Sequence, residues 1–196
     1  MRSRHCSFSP LILGSYPFRY LPISTCCLQL LLALVSTYRY EGDAVDTSLA
    51  KSEPKTVCEV VRNGAKDHEE LIRIVGTRSK AQLVATFSCF RDEHGTSITK
   101  ALPHRTDPIG YLRVLRTTVR CIADANKYFA KVLRNATRES GTDEVSLTRV
   151  VVVHAEKDMK DIRDAFQKRS SCTLQQAIAK ETSGDYRTFL MALLGS

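Results

Sequence analysis

The sequence predicts an all-α protein built from two related repeats of about five helices each. Three observations lead to this prediction. Apolar residues recur at intervals of three and four from about residue 52 onward, which is typical of helices that bury one face. Sustained alternation of apolar and polar residues, which marks strands, is absent. One half of the chain also matches the other at a fixed spacing.

The apolar pattern indicates three successive helices in the first half of the chain. They are marked by Val57, Val60 and Val61, by Leu71, Ile72, Ile74 and Val75, and by Leu83, Val84, Phe87 and Phe90. In the second half we predict helices at residues 127–138, 143–155, 157–169, 173–180 and 185–194. Polar joints separate these helices. At one joint Gly141 follows a helix, and Thr142 is the expected N-cap of the next.

Internal repetition relates the two halves. A shift of 76 residues places Leu71 on Leu147, Ile74 on Val150, Val75 on Val151, Leu83 on Met159, Phe90 on Phe166, Ile98 on Leu174 and Leu102 on Ile178. A shift of 78 then pairs Tyr111 with Phe189, and the apolar run 30–35 matches residues 189–194. The repeat length is therefore just under 80 residues, with about five helices per repeat.

The repeats divide the chain into four segments. We expect two repeats at 43–122 and 123–196, the last helix of a truncated repeat at 28–42, and an irregular leader at 1–27. The alternative for the apolar run at 28–35 is a secretory signal or a membrane anchor. The run begins late for a signal, and it is far shorter than the roughly 20 residues that span a bilayer.

Charge and cysteine content limit the classes of partner. Lys and Arg number 29 against 21 Asp and Glu, which gives a net charge of +8 and favours anionic partners. No long basic block occurs, so no nucleic-acid partner is expected.

The seven cysteines are scattered without CxxC spacing, which predicts reduced thiols in the cytoplasm rather than disulfides or zinc. Packing is the expected role of Cys89 and Cys121, with redox sensitivity as the alternative.

Several motifs agree in order and spacing with one known family. They are Gly141-Thr142-Asp143 between two helices, the segment 180–186 (Lys-Glu-Thr-Ser-Gly-Asp-Tyr) before the last helix, and the segments 38–42, 78–80 and 91–95. Over about residues 28–196 the chain resembles the annexins, particularly their plant branch. The resemblance implies five-helix repeats with calcium loops on one face. It also implies a cytoplasmic protein that binds acidic phospholipid at the plasma membrane when Ca²⁺ rises.

The resemblance implies one calcium site. The annexin pattern is Gly-x-Gly-Thr, 38 intervening residues and then Asp or Glu, and Thr142 and Glu181 are separated by 38 residues here. The implied ligands are the carbonyls of Thr137, Glu139 and Gly141 and the carboxylate of Glu181, with water or lipid phosphate completing the shell, because Ca²⁺ takes six to eight oxygens. Glu139 replaces the first glycine of the pattern, so we expect a weakened site. The alternative is a simple helix cap at Gly141 and surface charge at Glu181.

The first repeat lacks both halves of this pattern. Its loop reads Asn63-Gly64-Ala65-Lys66, and Arg105 occupies the position that corresponds to Glu181. We therefore expect no comparable site there. Asp67, Glu69 and Glu70 are expected to favour a helix amino terminus instead.

Other candidate functions have weaker support. Ile72-Arg73-Ile74 matches a short motif proposed for F-actin contact in plant annexins, but core packing is the better interpretation. No nucleophile, phosphate loop, acid–base pair or paired histidine spacing stands out, so no catalytic residue and no enzymatic activity are predicted. The main alternative to membrane binding is a helical scaffold that binds proteins, with actin as a candidate partner, and that lacks useful calcium affinity. Family members usually assemble four repeats, so uncovered apolar faces here predict self-association.

Overall fold

The computed structural model describes residues 25–36, 39–63, 68–102, 110–138 and 141–195. Within these ranges the chain forms helices and no strands, which confirms the all-α prediction. The helices are α1 (Thr25–Ser36), α2 (Thr47–Asn63), α3 (His68–Thr77), α4 (Lys80–His94), α5 (Ile98–Ala101), α6 (Tyr111–Ala136), α7 (Glu144–His154), α8 (Met159–Gln167), α9 (Leu174–Glu181) and α10 (Gly184–Leu193). In this described part, every helix is too short or too polar to cross a bilayer.

Helix α6 consists of two segments that meet at Asp124. This residue has φ −166° and ψ 92°, an extended conformation that interrupts the helix. Its Oδ1 accepts a hydrogen bond from the backbone N–H of Lys127 at 2.9 Å, as an N-cap side chain does. Asp124 therefore begins the second segment, close to the predicted start at residue 127.

Buried apolar side chains form two clusters that share no residue. The first cluster is built from α1 to α5 and the first segment of α6, and it includes Leu30, Val57, Leu71, Phe90, Leu102, Tyr111 and Leu115. The second is built from the second segment of α6 and α7 to α10, and it includes Leu133, Leu147, Val151, Ile162, Phe166, Ile178 and Leu190. Each apolar pair named above for the 76-residue shift is buried at both positions. Burial therefore confirms that the two members of each pair are equivalent.

The register proposed for the last helix of each repeat is wrong. The shift of 78 pairs buried Tyr111 with Phe189, which is 49% exposed, and the upstream match pairs fully buried Leu30 with the same Phe189. The cause is the leucine-rich composition of these helices, since consecutive apolar residues match one another in several registers. Burial, which follows the helical period, separates registers that residue type alone does not.

The apolar run at 28–35 lies within α1 and packs against α3. Leu30 is fully buried in the first cluster. Gly76 of α3 allows a close approach, because a Cβ built at Gly76 would lie 3.0 Å from the Cβ of Ala33. The run is therefore part of the helical packing, and α1 begins at Thr25 rather than at residue 28. Its assignment to a preceding repeat stays a prediction. Residues 1–24 of the predicted leader lie outside the described residues.

A buried ion pair joins α2 to the start of α4. The Nε of Arg78 lies 2.6 Å from Oε1 of Glu53, whose side chain is only 6% exposed. The hydroxyl of Thr86 donates to the other carboxylate oxygen of Glu53 at 3.0 Å. Both oxygens of this buried carboxylate therefore have partners, as a buried charge requires.

Candidate metal centre

The loop between α6 and α7 is closed by short backbone hydrogen bonds. Thr137 is the C-cap of α6, and its N–H and hydroxyl both donate to the carbonyl of Leu133 at 3.0 Å. The N–H of Asp143 donates to the carbonyl of Ala136 at 3.0 Å. Gly141 has φ +119°, a conformation that glycine adopts without the strain that a side chain brings. The reversal of the chain therefore depends on glycine at this position.

Thr142 has a different role from the one predicted. The N-cap of α7 is Asp143, whose side chain accepts from the N–H of Ser146 at 3.0 Å. Hydrogen bonds from the side chain and the backbone N–H of Ser146 lower the pKa of Asp143, because they stabilise the carboxylate form. The hydroxyl of Thr142 instead donates to the backbone carbonyl of Glu181 at 3.1 Å. It thus ties the loop to the end of α9, and the prediction of a Thr142 cap is wrong.

The end of α9 is also fixed from the side of α10. The Nε of Arg187 donates to the carbonyl of Thr182 at 2.7 Å, and its Nη2 donates to the same oxygen. The hydroxyl of Tyr186 lies 2.7 Å from the hydroxyl of Thr148 and donates to the carbonyl of Glu144 at 3.2 Å. These contacts place the start of α10 beside α7. Tyr186 belongs to the motif at 180–186, but nothing in the sequence indicates its hydrogen-bond partners.

Glu181 lies in a groove of about 610 Å³ between α6 and α9. Its side chain is 16% exposed, and Oε1 lies 4.0 Å from Nζ of Lys180. Thr137 lines the same groove together with Arg134 and Arg138. Among the described residues that line the groove, Glu181 is the one carboxylate. The surroundings are therefore basic, which disfavours a bare cation and favours one that arrives with an anionic partner.

The predicted ligands are brought together only in part by the described structure. Thr137 and Glu181 line one groove, and Gly141 adjoins Thr142, which is bonded to Glu181. Glu139 lies outside the described residues. The donors available here, backbone carbonyls and a carboxylate, are the hard oxygen ligands that Ca²⁺ prefers. The chemistry of the set therefore fits Ca²⁺, with one protein carboxylate in place of the several found in high-affinity sites.

Other kinds of metal site have no support in the described part of the chain. No group of three or more His, Cys, Asp and Glu side chains lies close enough there to hold a metal. His154 contacts Asp158 instead, with Nδ1 2.6 Å from Oδ1. The thiol of Cys121 has a raised pKa because burial disfavours the thiolate, and a raised pKa lowers its reactivity. This favours packing over redox chemistry at Cys121.

The two loops of the first repeat that correspond to the candidate site lie largely outside the described residues. Residues 64–67 and 103–109, which include Gly64 and Arg105, lie outside the described residues, so the absence of a calcium site there stays a prediction. Glu69 and Glu70 lie in the first turn of α3, as expected. Ile72 and Ile74 are buried, while Arg73 is exposed and pairs with Glu70 at 2.5 Å. Core packing therefore accounts for the two isoleucines of the proposed actin motif.

Comparison with known proteins identifies a common family. The profile described as Annexin matches residues 61–108 and 128–193. Over 167 residues the chain is 48% identical to "Annexin-like protein RJ4" of Fragaria ananassa and 47% identical to "Annexin D2" of Arabidopsis thaliana. Each alignment covers 85% of this chain and 53% of the relative. The chain thus spans about half the length of the curated relatives it matches.

Solved structures agree with the sequence comparison. Chicken annexin V in complex with Zn²⁺ superimposes with a TM-score of 0.77 at 34% identity, covering 86% of this chain and 53% of the other. Annexin III superimposes with a TM-score of 0.78 at 30% identity, covering 88% and 54%. The helical architecture expected from the resemblance is therefore confirmed.

Proposed function

Because this chain belongs to the annexin family, we propose that it binds Ca²⁺ at the loop between α6 and α7 and attaches through that ion to acidic phospholipid. The observation that carries the proposal is the hydrogen bond from Thr142 to the carbonyl of Glu181. It joins the loop to the backbone of Glu181, the residue 39 positions later whose side chain carries the carboxylate. Without this connection the two halves of the calcium pattern would be separate surface features.

Four residues would hold the ion. Thr137, Glu139 and Gly141 would contribute backbone carbonyls, and Glu181 would contribute its carboxylate. Bound Ca²⁺ supplies a positive charge that an anionic phosphate oxygen can ligate directly. The protein's own contribution is to fix the loop: Gly141 takes the left-handed conformation, and Thr142 holds the loop against α9. Glu139 is the principal weakness, since a side chain replaces the glycine of the family pattern.

The basic residues around Glu181 support a lipid partner. Arg138 and Lys180 line the groove with Glu181, and the whole chain carries a net charge of +8. Basic side chains near an anionic membrane add about 1 kcal/mol each to binding. They also make calcium binding weaker in the absence of lipid. We therefore infer that Ca²⁺ and lipid bind together, which corresponds to peripheral attachment at the plasma membrane when Ca²⁺ rises.

Liposome co-sedimentation tests this function. The chain should pellet with phosphatidylserine-containing vesicles in Ca²⁺ and should return to the supernatant after chelation. Vesicles of neutral phosphatidylcholine provide the matched control. The scaffold alternative, with a protein partner such as F-actin, predicts the same distribution with and without Ca²⁺. Pelleting that chelation does not reverse would therefore contradict the calcium proposal.

Replacing Thr142 with Val should weaken calcium binding without unfolding the chain. Valine keeps the shape of the side chain and loses the hydroxyl that donates to Glu181. A neutral hydrogen bond contributes about 1 kcal/mol. We therefore expect the Kd for Ca²⁺ to increase about three- to tenfold, as measured by calorimetry with lipid present. Thr142→Ser retains the hydroxyl and should behave like the parent chain. Equal affinities of the Val and Ser variants would rule out this role of Thr142.

A further inference from the structure

A second groove lies where the two repeats meet, beside the break in α6. It encloses about 390 Å³ and is bounded by α4, by α5 and by both segments of α6. Its apolar wall is formed by Val84, Phe87, Ile98 and Val119. We call it the junction groove. Its volume lies in the range of pockets that bind small molecules.

The polar side of the junction groove is strongly basic. It is lined by Arg91, Arg120, Lys127, Lys131 and Arg169, with Asp124 as its carboxylate. Asp124 is already paired, since its Oδ2 lies 2.6 Å from Nζ of Lys127. Within the described ranges, Arg120, Lys131 and Arg169 have no carboxylate within ion-pair distance. Among the described residues that line this surface, five cationic side chains therefore face one carboxylate, Asp124, which is paired with Lys127 and also interacts with Arg169.

These cations lie close enough to repel one another. The pKa of Lys131 is lowered, first by the charge of Arg120 and further by burial and by Arg134 and Arg169. Arg134 is itself incompletely satisfied: its Nη1 donates to the carbonyl of Arg169 at 3.3 Å, while its buried Nε has no partner in the described structure. A bound anion would remove the repulsion, because an opposite charge within a few ångströms stabilises each cation.

We propose that the junction groove binds a small anion that carries two or more phosphate groups. Arg120, Lys131 and Arg169 would contact the phosphate oxygens, for which Arg and Lys are the usual protein partners. A multivalent anion fits better than chloride or a single carboxylate because the cations that line the groove outnumber its one described carboxylate. The apolar wall at Phe87 provides space for an organic group, so a soluble phosphate ester fits the groove better than a flat membrane surface.

The junction groove adjoins the groove of Glu181, since Arg169 lines both, but Glu181 and Thr137 line only the second. Lys131 precedes Thr137 by six residues on the second segment of α6, about 9 Å along a helix. Anion binding would therefore need neither Ca²⁺ nor Glu181. This inference goes beyond the proposed function and can fail or succeed independently of it.

Calorimetry of the full chain with inorganic tripolyphosphate tests the proposal. The titration uses EGTA and low salt, so that calcium bridging is excluded and screening is weak. We expect saturable binding of one equivalent, and a Kd that increases about tenfold in Lys131→Gln and in Arg169→Gln, since each removes a charge-assisted contact. Lys55 is exposed and does not line the groove, so Lys55→Gln provides a control with the same change in charge.

Three outcomes would overturn the proposal. If Lys55→Gln weakened tripolyphosphate binding as much as Lys131→Gln does, binding would depend on net charge alone. Loss of tripolyphosphate binding in Glu181→Gln would place the anion in the calcium groove instead. Binding of phosphatidylserine vesicles in EGTA, without binding of tripolyphosphate, would assign the basic residues to a lipid surface. Melting curves of each variant show whether a changed Kd comes from a folded chain. If Lys131→Gln unfolds, the variant Arg169→Gln still tests the proposal, because Arg169 is exposed.

Discussion

Replacing Glu181 with Gln should remove calcium-dependent membrane binding. Glutamine keeps the size of the side chain and one carbonyl oxygen but loses the negative charge. Glu181 is the one carboxylate among the described residues of its groove, and the neighbouring charges are basic. We therefore expect the Kd for Ca²⁺ to increase at least about tenfold, since an interaction with a charged group contributes about 1.5–3 kcal/mol and a neutral one about 0.5–1.5 kcal/mol. Calorimetry measures the Kd, and co-sedimentation measures the loss of pelleting.

Stability should change little in this variant. The described contact of the Glu181 side chain is the distant one to Lys180 at 4.0 Å, which is worth little at the surface. Glu156→Gln, at an exposed turn residue outside this groove, removes the same charge and should leave calcium binding intact. An unchanged Kd for Ca²⁺ in Glu181→Gln would refute the proposed site, whatever the chain does with lipid.

Replacing Arg78 with Ala should destabilise the chain by about 3 kcal/mol, near the lower end of what breaking a buried ion pair costs. The substitution leaves the carboxylate of Glu53, only 6% exposed, with Thr86 as its remaining described hydrogen-bond partner. The cost arises mainly from burying an uncompensated charge. Urea denaturation measures the change as a lower midpoint at an unchanged slope.

The ion pair between Arg73 and Glu70 provides the matched control for Arg78. It has a similar contact distance of 2.5 Å, but both side chains are about half exposed. Arg73→Ala should therefore cost less than about 1 kcal/mol. Replacing Glu53 and Arg78 together with Met should recover part of the loss, because no charge remains buried. Equal destabilisation by Arg73→Ala and Arg78→Ala would show that burial is not the cause.

The helices and the core could be predicted from the sequence because both follow from apolar periodicity. Leu71 and Leu147, or Phe90 and Phe166, are buried at equivalent places because each repeat presents the same face to its own core. The last helix of each repeat could not be aligned in the same way. Its leucine-rich sequence matches itself in several registers, and only the burial of Tyr111 against the exposure of Phe189 excludes the one proposed.

The calcium ligands stay a prediction, and the internal contacts of the candidate site could not be predicted from the sequence. Family spacing indicates Glu181 and Gly141 as site residues, since a fixed number of residues between two loops reflects a fixed helical framework. The same spacing could not show whether Thr142 caps α7 or donates a hydrogen bond to the end of α9. Thr142 and Asp143 are both good N-cap residues, and the choice depends on where α9 ends in space.

The division of α6 has a consequence for how the chain opens. One segment contributes Tyr111, Leu115 and Val119 to the first cluster, and the other contributes Ala130 and Leu133 to the second. Repeat proteins are stabilised unit by unit, so local opening can occur in one unit while the other remains closed. We expect Ca²⁺ at Glu181 to slow amide hydrogen exchange in α7, α9 and α10 while leaving exchange in α2 to α4 almost unchanged.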